Sequence, residues 1–151
     1  MNTFVPYPDI SASVASLDWR RLGKQRVEAF QCLCALQDPW ALRERYRRTG
    51  KSEPYKGWVN HPAVKMWRGH TIVLKHYYNA TIQEWVERGY NNTMMYAPIP
   101  VGEVSMPSWW GDDRVHASHR GRLMDKDPEW YSRFWDDVPI SVNEGYFWPV
   151  D

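Results

Sequence analysis

The stretch His61–Gly89, HPAVKMWRGHTIVLKHYYNATIQEWVERG, decides the predicted fold. Its apolar residues recur at helical spacing from Met66 to Val86, the His-Pro pair resembles a helix start, and Gly89 resembles a helix stop. The pattern predicts one continuous helix that would be roughly 40 Å long, at about 1.5 Å per residue. A helix of that length would cross the whole domain, so we expect it to be the central strut.

Further helices and irregular segments are predicted on both sides of this strut. Residues 1–10 contain Pro6 and Pro8 and are expected to form an extended arm that leads to Ser11 or Ser13 as a helix cap. Cap and proline signals predict the remaining elements, which are helices from about Leu17 to Leu36, Pro39 to Arg48 after Asp38, Asp112 or Asp113 to Met124, and Asp127-Pro128 through Trp135, with irregular segments at 49–57 and 91–108.

The expected fold class is mainly α. Strand signals are weak throughout, and the tail from Val138 to the Tyr146–Pro149 stretch is expected to be extended and packed back onto the helices. We predict one domain over residues 1–151, a compact single-domain helical bundle with a long central helix and extended N- and C-terminal arms.

Composition indicates a globular chain that acts inside the cell. Among 151 residues, 43% are hydrophobic and 25% are charged, which is enough to form one core. No apolar run has the length of a membrane span and no signal segment begins the chain, so no membrane association is expected. Cys32 and Cys34 would point to different sides of a helix, which argues against a disulfide and for a cytoplasmic location. A monomer is favoured.

Positive charge is concentrated in one part of the chain. The formal net charge is only +1, yet residues 18–51 carry nine basic against four acidic side chains. Helical spacing places Arg20 and Lys24 on one side, with Arg21 and Gln25 beside them. Such a cluster suits phosphate contacts, while the alternative is an ordinary solvated face.

A second concentration of unusual chemistry lies at Trp109–Asp112 and His116–Arg120. Aromatic rings stack on bases and Arg pairs with phosphate, so these residues suggest a nucleotide or nucleic-acid site. The alternative, which stays open here, is a tryptophan-rich core beside a solvent-exposed helix. His116 and His119 have a spacing open to a metal, but no Glu, Cys or Asp set accompanies them, so we predict no metal and no cofactor. Their imidazoles are expected to bond a phosphate or a base edge.

Three motifs and the N-terminal stretch carry a resemblance to a known family. The segments FVPYP at Phe4–Pro8, RRLGKQRVE at Arg20–Glu28, HPAVKMWRGH at His61–His70 and HASHR at His116–Arg120 resemble an uncharacterised branch of the pyrimidine-dimer DNA glycosylase (endonuclease V-like) family. The resemblance implies a mostly helical domain that grips and kinks duplex DNA and reaches a damaged base by base flipping.

The resemblance also implies a mechanism, from which this sequence departs at two points. In the family, the N-terminal α-amine, freed by removal of Met1, attacks the sugar carbon to form a Schiff base, assisted by a Glu on the first long helix. Here Asn2 is too large for efficient removal of Met1, and Arg21 stands where the acid is expected. Because that lyase chemistry needs an unprotonated amine and a carboxylate, we do not expect it to carry over.

The predicted site therefore combines a phosphate grip with a hydrolytic centre. Asp18 and Glu28, with Asp9 near them, are candidates to activate water for glycosidic cleavage, and Trp130-Tyr131 match an aromatic pair of the family. The candidate catalytic residues are Asp18, Glu28, His61, His116 and His119. The candidate DNA-binding residues are Arg20, Arg21, Lys24, Arg26, Arg68, His70, Trp110, Arg120, Arg122 and Lys126.

The predicted function is that of a glycosylase-like protein which grips duplex DNA and cleaves the N-glycosidic bond of a damaged or modified base. Two alternatives stay open at this point. One is a nucleic-acid-binding protein without catalysis, and the other is an enzyme that acts on a free nucleotide or nucleobase.

Overall fold

A computed structural model describes residues 1–135 and 147–149 of the chain. The mainly α prediction is confirmed, since no strand occurs in these ranges. Seven helices are present in them, α1 Ile10–Ser16, α2 Trp19–Ala35, α3 Pro39–Thr49, α4 Pro62–Lys65, α5 Thr71–Glu87, α6 Asp113–Lys126 and α7 Pro128–Trp135.

The predicted central strut is wrong in one respect, because it consists of two helices. The four-residue α4 ends in a turn, and the 17-residue α5, which would be about 25 Å long, starts only at Thr71. Gly69 in that turn has φ +82°, a backbone conformation that ends a right-handed helix. Close packing does not require a glycine here, since no atom beyond its two chain neighbours lies within 4 Å of the place of a Cβ. The apolar spacing continues across the break because both helices face the same core.

The helix starts follow the predicted cap chemistry with one exception. Asp38 accepts a hydrogen bond from Ala41 N–H at 3.0 Å, and Asp112 caps α6 in the same way. The first helix is capped by Asp9, so the expectation of Ser11 or Ser13 is wrong. The predicted helix from about Leu17 begins at Trp19 instead, after the separate short α1.

The core lies mainly between α2 and α5, the helix pair with the largest shared contact. Trp67, Tyr77 and Tyr78 are fully buried there beside Leu22 and Leu33. Large aromatic side chains thus fill much of the core, which accounts for part of the high aromatic content. No helix in the described part of the chain has the length and apolar character needed to cross a membrane.

The predicted C-terminal arm lies largely outside the described residues. Three of its residues, 147–149, are described, and two of them have ring contacts with the body. The Trp148 ring lies edge-on to His61 with 5.8 Å between ring centres, and the Arg114 guanidinium lies 4.5 Å from the centre of the Phe147 ring. These contacts agree with the expected return of the tail at this point.

Candidate active site

A cavity of about 440 Å³ opens where the N-terminus, α2 and the end of α6 meet. Most of its charged side chains are basic, and only one is acidic. The lining residues are Met1, Asn2, Phe4, Arg20, Arg21, Lys24, Gln25, Glu28, Arg122 and Lys126.

Helical spacing explains which side chains reach this cavity. Arg21, Lys24 and Glu28 recur every three or four residues along α2 and therefore share one face, as do Arg122 and Lys126 on α6. Burial lowers the pKa of Lys126, and the neighbouring charges of Arg21, Arg122 and Lys24 lower it further. The mutual repulsion of these cations makes the cavity a site that would attract an anion.

The single acid of the cavity lies beside the start of the chain. Oε2 of Glu28 accepts a hydrogen bond from the backbone N–H of Asn2 at 2.8 Å. Asn2 is only 4% exposed, and neither of its side-chain amide atoms has a hydrogen-bond partner among the described residues. Sequence comparison placed Arg21 at the expected acid position, but Glu28, two turns later on the same face, supplies a carboxylate next to the N-terminus.

Body side chains hold the first half of the N-terminal arm, defined here as residues 2–7. Gln25 donates to the carbonyl oxygen of Asn2 at 3.0 Å and accepts from Phe4 N–H at 2.8 Å. The Tyr77 hydroxyl donates to the carbonyl oxygen of Phe4 at 2.7 Å, and the Trp67 indole N–H donates to the Thr3 hydroxyl at 2.8 Å. The extended arm is therefore fixed although no strand pairs with it in the described residues.

The HASHR motif holds the second half of the N-terminal arm. His119 Nδ1 accepts a hydrogen bond from Val5 N–H at 2.9 Å, and His116 Nδ1 lies 2.7 Å from the carbonyl oxygen of Val5. Arg120 donates to the carbonyl oxygen of Pro6 at 2.8 Å. All three sequence motifs thus contact the same arm. The first does so through Gln25 and Glu28, the second through Trp67, and the HASHR motif through His116, His119 and Arg120.

The two histidines of this motif lie in the interior, away from the cavity lining. Both are at most 1% exposed, and burial, followed by the nearby His116, lowers the pKa of His119 to about 3. Trp109 is also buried and donates to the carbonyl oxygen of Met66, while Trp110 packs edge-on against His116. The structure does not bring these rings to the cavity, where the sequence prediction of a base or phosphate contact would require them.

Asp18 supports the cavity without lining it. Its Oδ1 accepts a hydrogen bond from the Tyr131 hydroxyl at 2.5 Å, and its Oδ2 pairs with Arg21 at 3.2 Å. Burial raises the pKa of Tyr131, and the hydrogen bond to Asp18 raises it further. Asp18 thus orients Arg21 toward the cavity. Asp9, the third predicted carboxylate, caps α1.

Trp130, the other residue of the predicted aromatic pair, also packs against the body. The Trp130 indole N–H donates to the carbonyl oxygen of Ser16 at 2.8 Å. The guanidinium of Arg133 lies 3.8 Å from the centre of its ring. Trp130 thus joins α7 to the end of α1.

The remaining predicted site residues lie outside the cavity lining. Arg26 points to another face of α2, where its guanidinium lies 4.1 Å from the centre of the Trp85 ring. Arg68 is exposed, and Nδ1 of His70 lies 2.9 Å from the carbonyl oxygen of Ser105. His61 caps α4, and its pKa is lowered by burial and then by the positive α-amino group of Met1.

The sequence prediction missed four lining residues, Met1, Asn2, Phe4 and Gln25. Gln25 was placed beside Arg21 but given no role. The spacing of Arg21, Gln25 and Glu28 at four and then three residues was a usable signal, because it puts all three on one face. The arm residues gave no such local signal.

Neither metal ligands nor reactive thiols are evident in the described residues. No group of three or more His, Cys, Asp or Glu side chains converges there as a metal site would require. Cys32 and Cys34 are free and buried, and burial raises the pKa of Cys32 to about 12 and that of Cys34 to about 11. At neutral pH both are thus thiols and poor nucleophiles.

Comparison with known proteins identifies the family. No curated protein and no solved structure matches the chain. The family model described as pyrimidine dimer DNA glycosylase matches residues 1–97, a range that includes the N-terminal arm, α2 and Glu28. The match covers more than half of the sequence, and the chain therefore belongs to the pyrimidine dimer DNA glycosylase family.

Proposed function

We propose that this protein excises a damaged pyrimidine from duplex DNA with its N-terminal amine as nucleophile and Glu28 as the acid–base group. The observation that carries the proposal is the 2.8 Å hydrogen bond between Glu28 Oε2 and the backbone nitrogen of Asn2 at the wall of a cationic cavity. A carboxylate in this place can remove a proton from an amine and return it later in the reaction.

The basic side chains of the cavity bind the DNA backbone around the damaged nucleotide. Arg guanidinium groups pair with two phosphate oxygens at once, and Lys adds a compact positive charge. A volume of about 440 Å³ suits one flipped nucleotide better than a stretch of intact duplex. Arg20, Arg21, Lys24, Arg122 and Lys126 form this phosphate grip.

The proposed reaction replaces the bonds of C1′ to the base and to the ring oxygen with a double bond to the amine nitrogen. The neutral amine attacks C1′, the bond between C1′ and the base nitrogen breaks, and the base keeps the electron pair and takes a proton from water. Glu28 takes one proton from the attached amine and passes it to the ring oxygen as the sugar opens, which leaves a protonated Schiff base between the amine and C1′. This route reverses our expectation from the sequence that amine chemistry is lost.

Two residues can carry the amine, and the mature chain decides between them. If Met1 is removed, the Asn2 nitrogen becomes the amine and already lies beside Glu28. If Met1 is retained, its own amine belongs to a residue that lines the same cavity. Intact-mass measurement of the purified protein distinguishes the two forms.

The test is borohydride trapping on ultraviolet-irradiated duplex DNA, because hydride reduces a Schiff base to a stable covalent adduct. We expect an adduct with the unmodified protein, and a loss of about 100-fold or more in its rate for Glu28→Gln. The matched control is Glu87→Gln, which changes an exposed acid at the end of α5.

Each other outcome has a clear reading. Abasic sites formed without an adduct, measured with an aldehyde-reactive probe, would overturn the amine route and favour water activated by Glu28. Binding of irradiated DNA with neither adduct nor abasic sites would overturn catalysis and leave a nucleic-acid-binding protein. Mapping the adduct to a peptide other than the N-terminal one would overturn the assignment of the nucleophile.

A further inference from the structure

We infer that His116 and His119 are positioning residues that set the place of the N-terminal amine by holding both backbone groups of Val5. The inference rests on the proposed function, since it gives the HASHR motif a role in that reaction. Neither ring lines the cavity, so both act through the N-terminal arm.

The hydrogen-bond partners define the orientation of the His116 ring. A carbonyl oxygen only accepts, so Nδ1 must donate to the oxygen of Val5 at 2.7 Å. The backbone N–H of Gly111 donates to Nε2 at 3.0 Å, so that atom must accept. Both ring nitrogens of His116 are therefore committed, and the ring is held from two sides.

His119 supplies the complementary half of the same contact. Its Nδ1 accepts from Val5 N–H at 2.9 Å, and its ring packs edge-on against Phe4 with 6.0 Å between ring centres. The two histidines lie three residues apart and therefore on one side of α6. Together they satisfy the donor and the acceptor that a neighbouring β-strand would otherwise satisfy.

Val5 is close enough to the amine for this contact to matter. It is only three positions from Asn2 along the chain, which corresponds to about 10 Å of extended chain. Gln25 and Tyr77 fix the intervening Phe4, so the chain has little freedom between Val5 and Asn2, the residue bonded to Glu28. A displacement of about 1 Å at a reacting atom can lower a rate by about 100-fold.

A matched pair of substitutions at His116 separates positioning from general packing. The amide nitrogen of Asn is as many bonds from Cα as Nδ1 is, so His116→Asn can still donate to Val5. The amide oxygen of Gln is as many bonds from Cα as Nε2 is, so His116→Gln can still accept from Gly111 but loses Val5. We measure three quantities for each variant: the single-turnover rate of borohydride trapping on abasic duplex DNA, the affinity for duplex DNA with a tetrahydrofuran site, and Tm.

We expect His116→Gln to lower the trapping rate by about 10- to 100-fold. Its affinity for the tetrahydrofuran duplex should stay within about twofold, because the phosphate grip lies on other side chains. We expect His116→Asn to keep most of the trapping rate of the unmodified protein, even if its Tm falls as far as that of His116→Gln. Equal loss in both variants, in proportion to Tm, would overturn the inference, as would an unchanged rate in His116→Gln. Absence of trapping by the unmodified protein would instead overturn the proposed function, and this inference with it.

A milder substitution at the next arm contact keeps the inference testable if His116→Gln does not fold. Arg120→Met removes the hydrogen bond to the Pro6 carbonyl, and Arg114→Met is its control on the same helix, where Arg114 pairs with Asp112. We expect a slower trapping rate only for Arg120→Met, at equal DNA affinity. Equal rates in the two variants would contradict positioning by the HASHR motif.

Discussion

Gln25 shows how single side chains replace a sheet in this protein. Its amide donates to the carbonyl oxygen of Asn2 and accepts from the N–H of Phe4, two bonds that a neighbouring strand usually provides. Glu has no donor for the first bond, and Asn is one methylene too short to keep the same reach. A glutamine on the cavity face of α2 is thus the residue type that fits an unpaired extended arm.

His119 gives the protein a predictable pH dependence. Burial lowers the pKa of its ring to about 3, whereas an unfolded histidine titrates near 6.5. Between these values the unfolded chain binds a proton that the folded chain does not. The contribution of His119 to the free energy of unfolding is therefore complete above about pH 6.5 and is lost as the pH drops toward about 3. Urea denaturation should show this loss at up to about 1.4 kcal/mol per pH unit.

The control for this dependence is His119→Asn, which can still accept from Val5 N–H but does not titrate. We expect its stability to fall less steeply between about pH 6.5 and pH 4. Parallel curves for the two proteins would show that other groups cause the loss.

At the scale of elements, α2 divides its surface among three tasks. Leu22 and Leu33 face the core, Arg26 packs on Trp85, and a third face lines the cavity. Read as a linear sequence, the basic residues near the start of α2 form one cluster. Because of helical geometry, Arg26 lies on a different face of α2. The excess of basic residues in this part of the sequence therefore overstated how many of them belong to the site.

The cavity face of α2 should determine how DNA binding responds to salt. The logarithm of the DNA-binding constant falls linearly with the logarithm of the salt concentration. Each phosphate contact that is lost reduces the steepness of that fall by about 1. We therefore expect Lys24→Met and Arg21→Met each to reduce that steepness by about 1, measured by fluorescence anisotropy with duplex DNA. Arg43→Met, at an exposed position of α3, is the matched control. An equal change in all three variants would indicate that net charge, and not the cavity, governs binding.

At the scale of the whole molecule, local signals were predictable and distant contacts were not. Asp38 and Asp112 were recognised as caps because a cap bonds residues two or three positions away. The break at Gly69 was missed because apolar spacing reports which face is buried, not the sign of φ. The role of His119 was missed because its partner, Val5, lies 114 positions away in the sequence.

Long-range contacts hold the N-terminal arm against the body, and the proposed chemistry needs the N-terminus of that arm to be free. Met1 and Asn2 line the cavity, so residues added before Met1 would lie at its wall and convert the amine into an amide. We expect a short N-terminal extension to abolish the borohydride adduct while the helical circular dichroism spectrum and the salt-dependent DNA binding persist.

Proteolytic removal of that extension should restore the adduct, and the same extension placed after Asp151 should leave it unchanged. An adduct formed by the extended chain would contradict the assignment to the N-terminal amine. Peptide mapping would then be directed first at Lys126, because it is a lysine of the same cavity and burial and neighbouring cations lower its pKa. A neutral amine is the nucleophilic form, and a lowered pKa favours that form of Lys126.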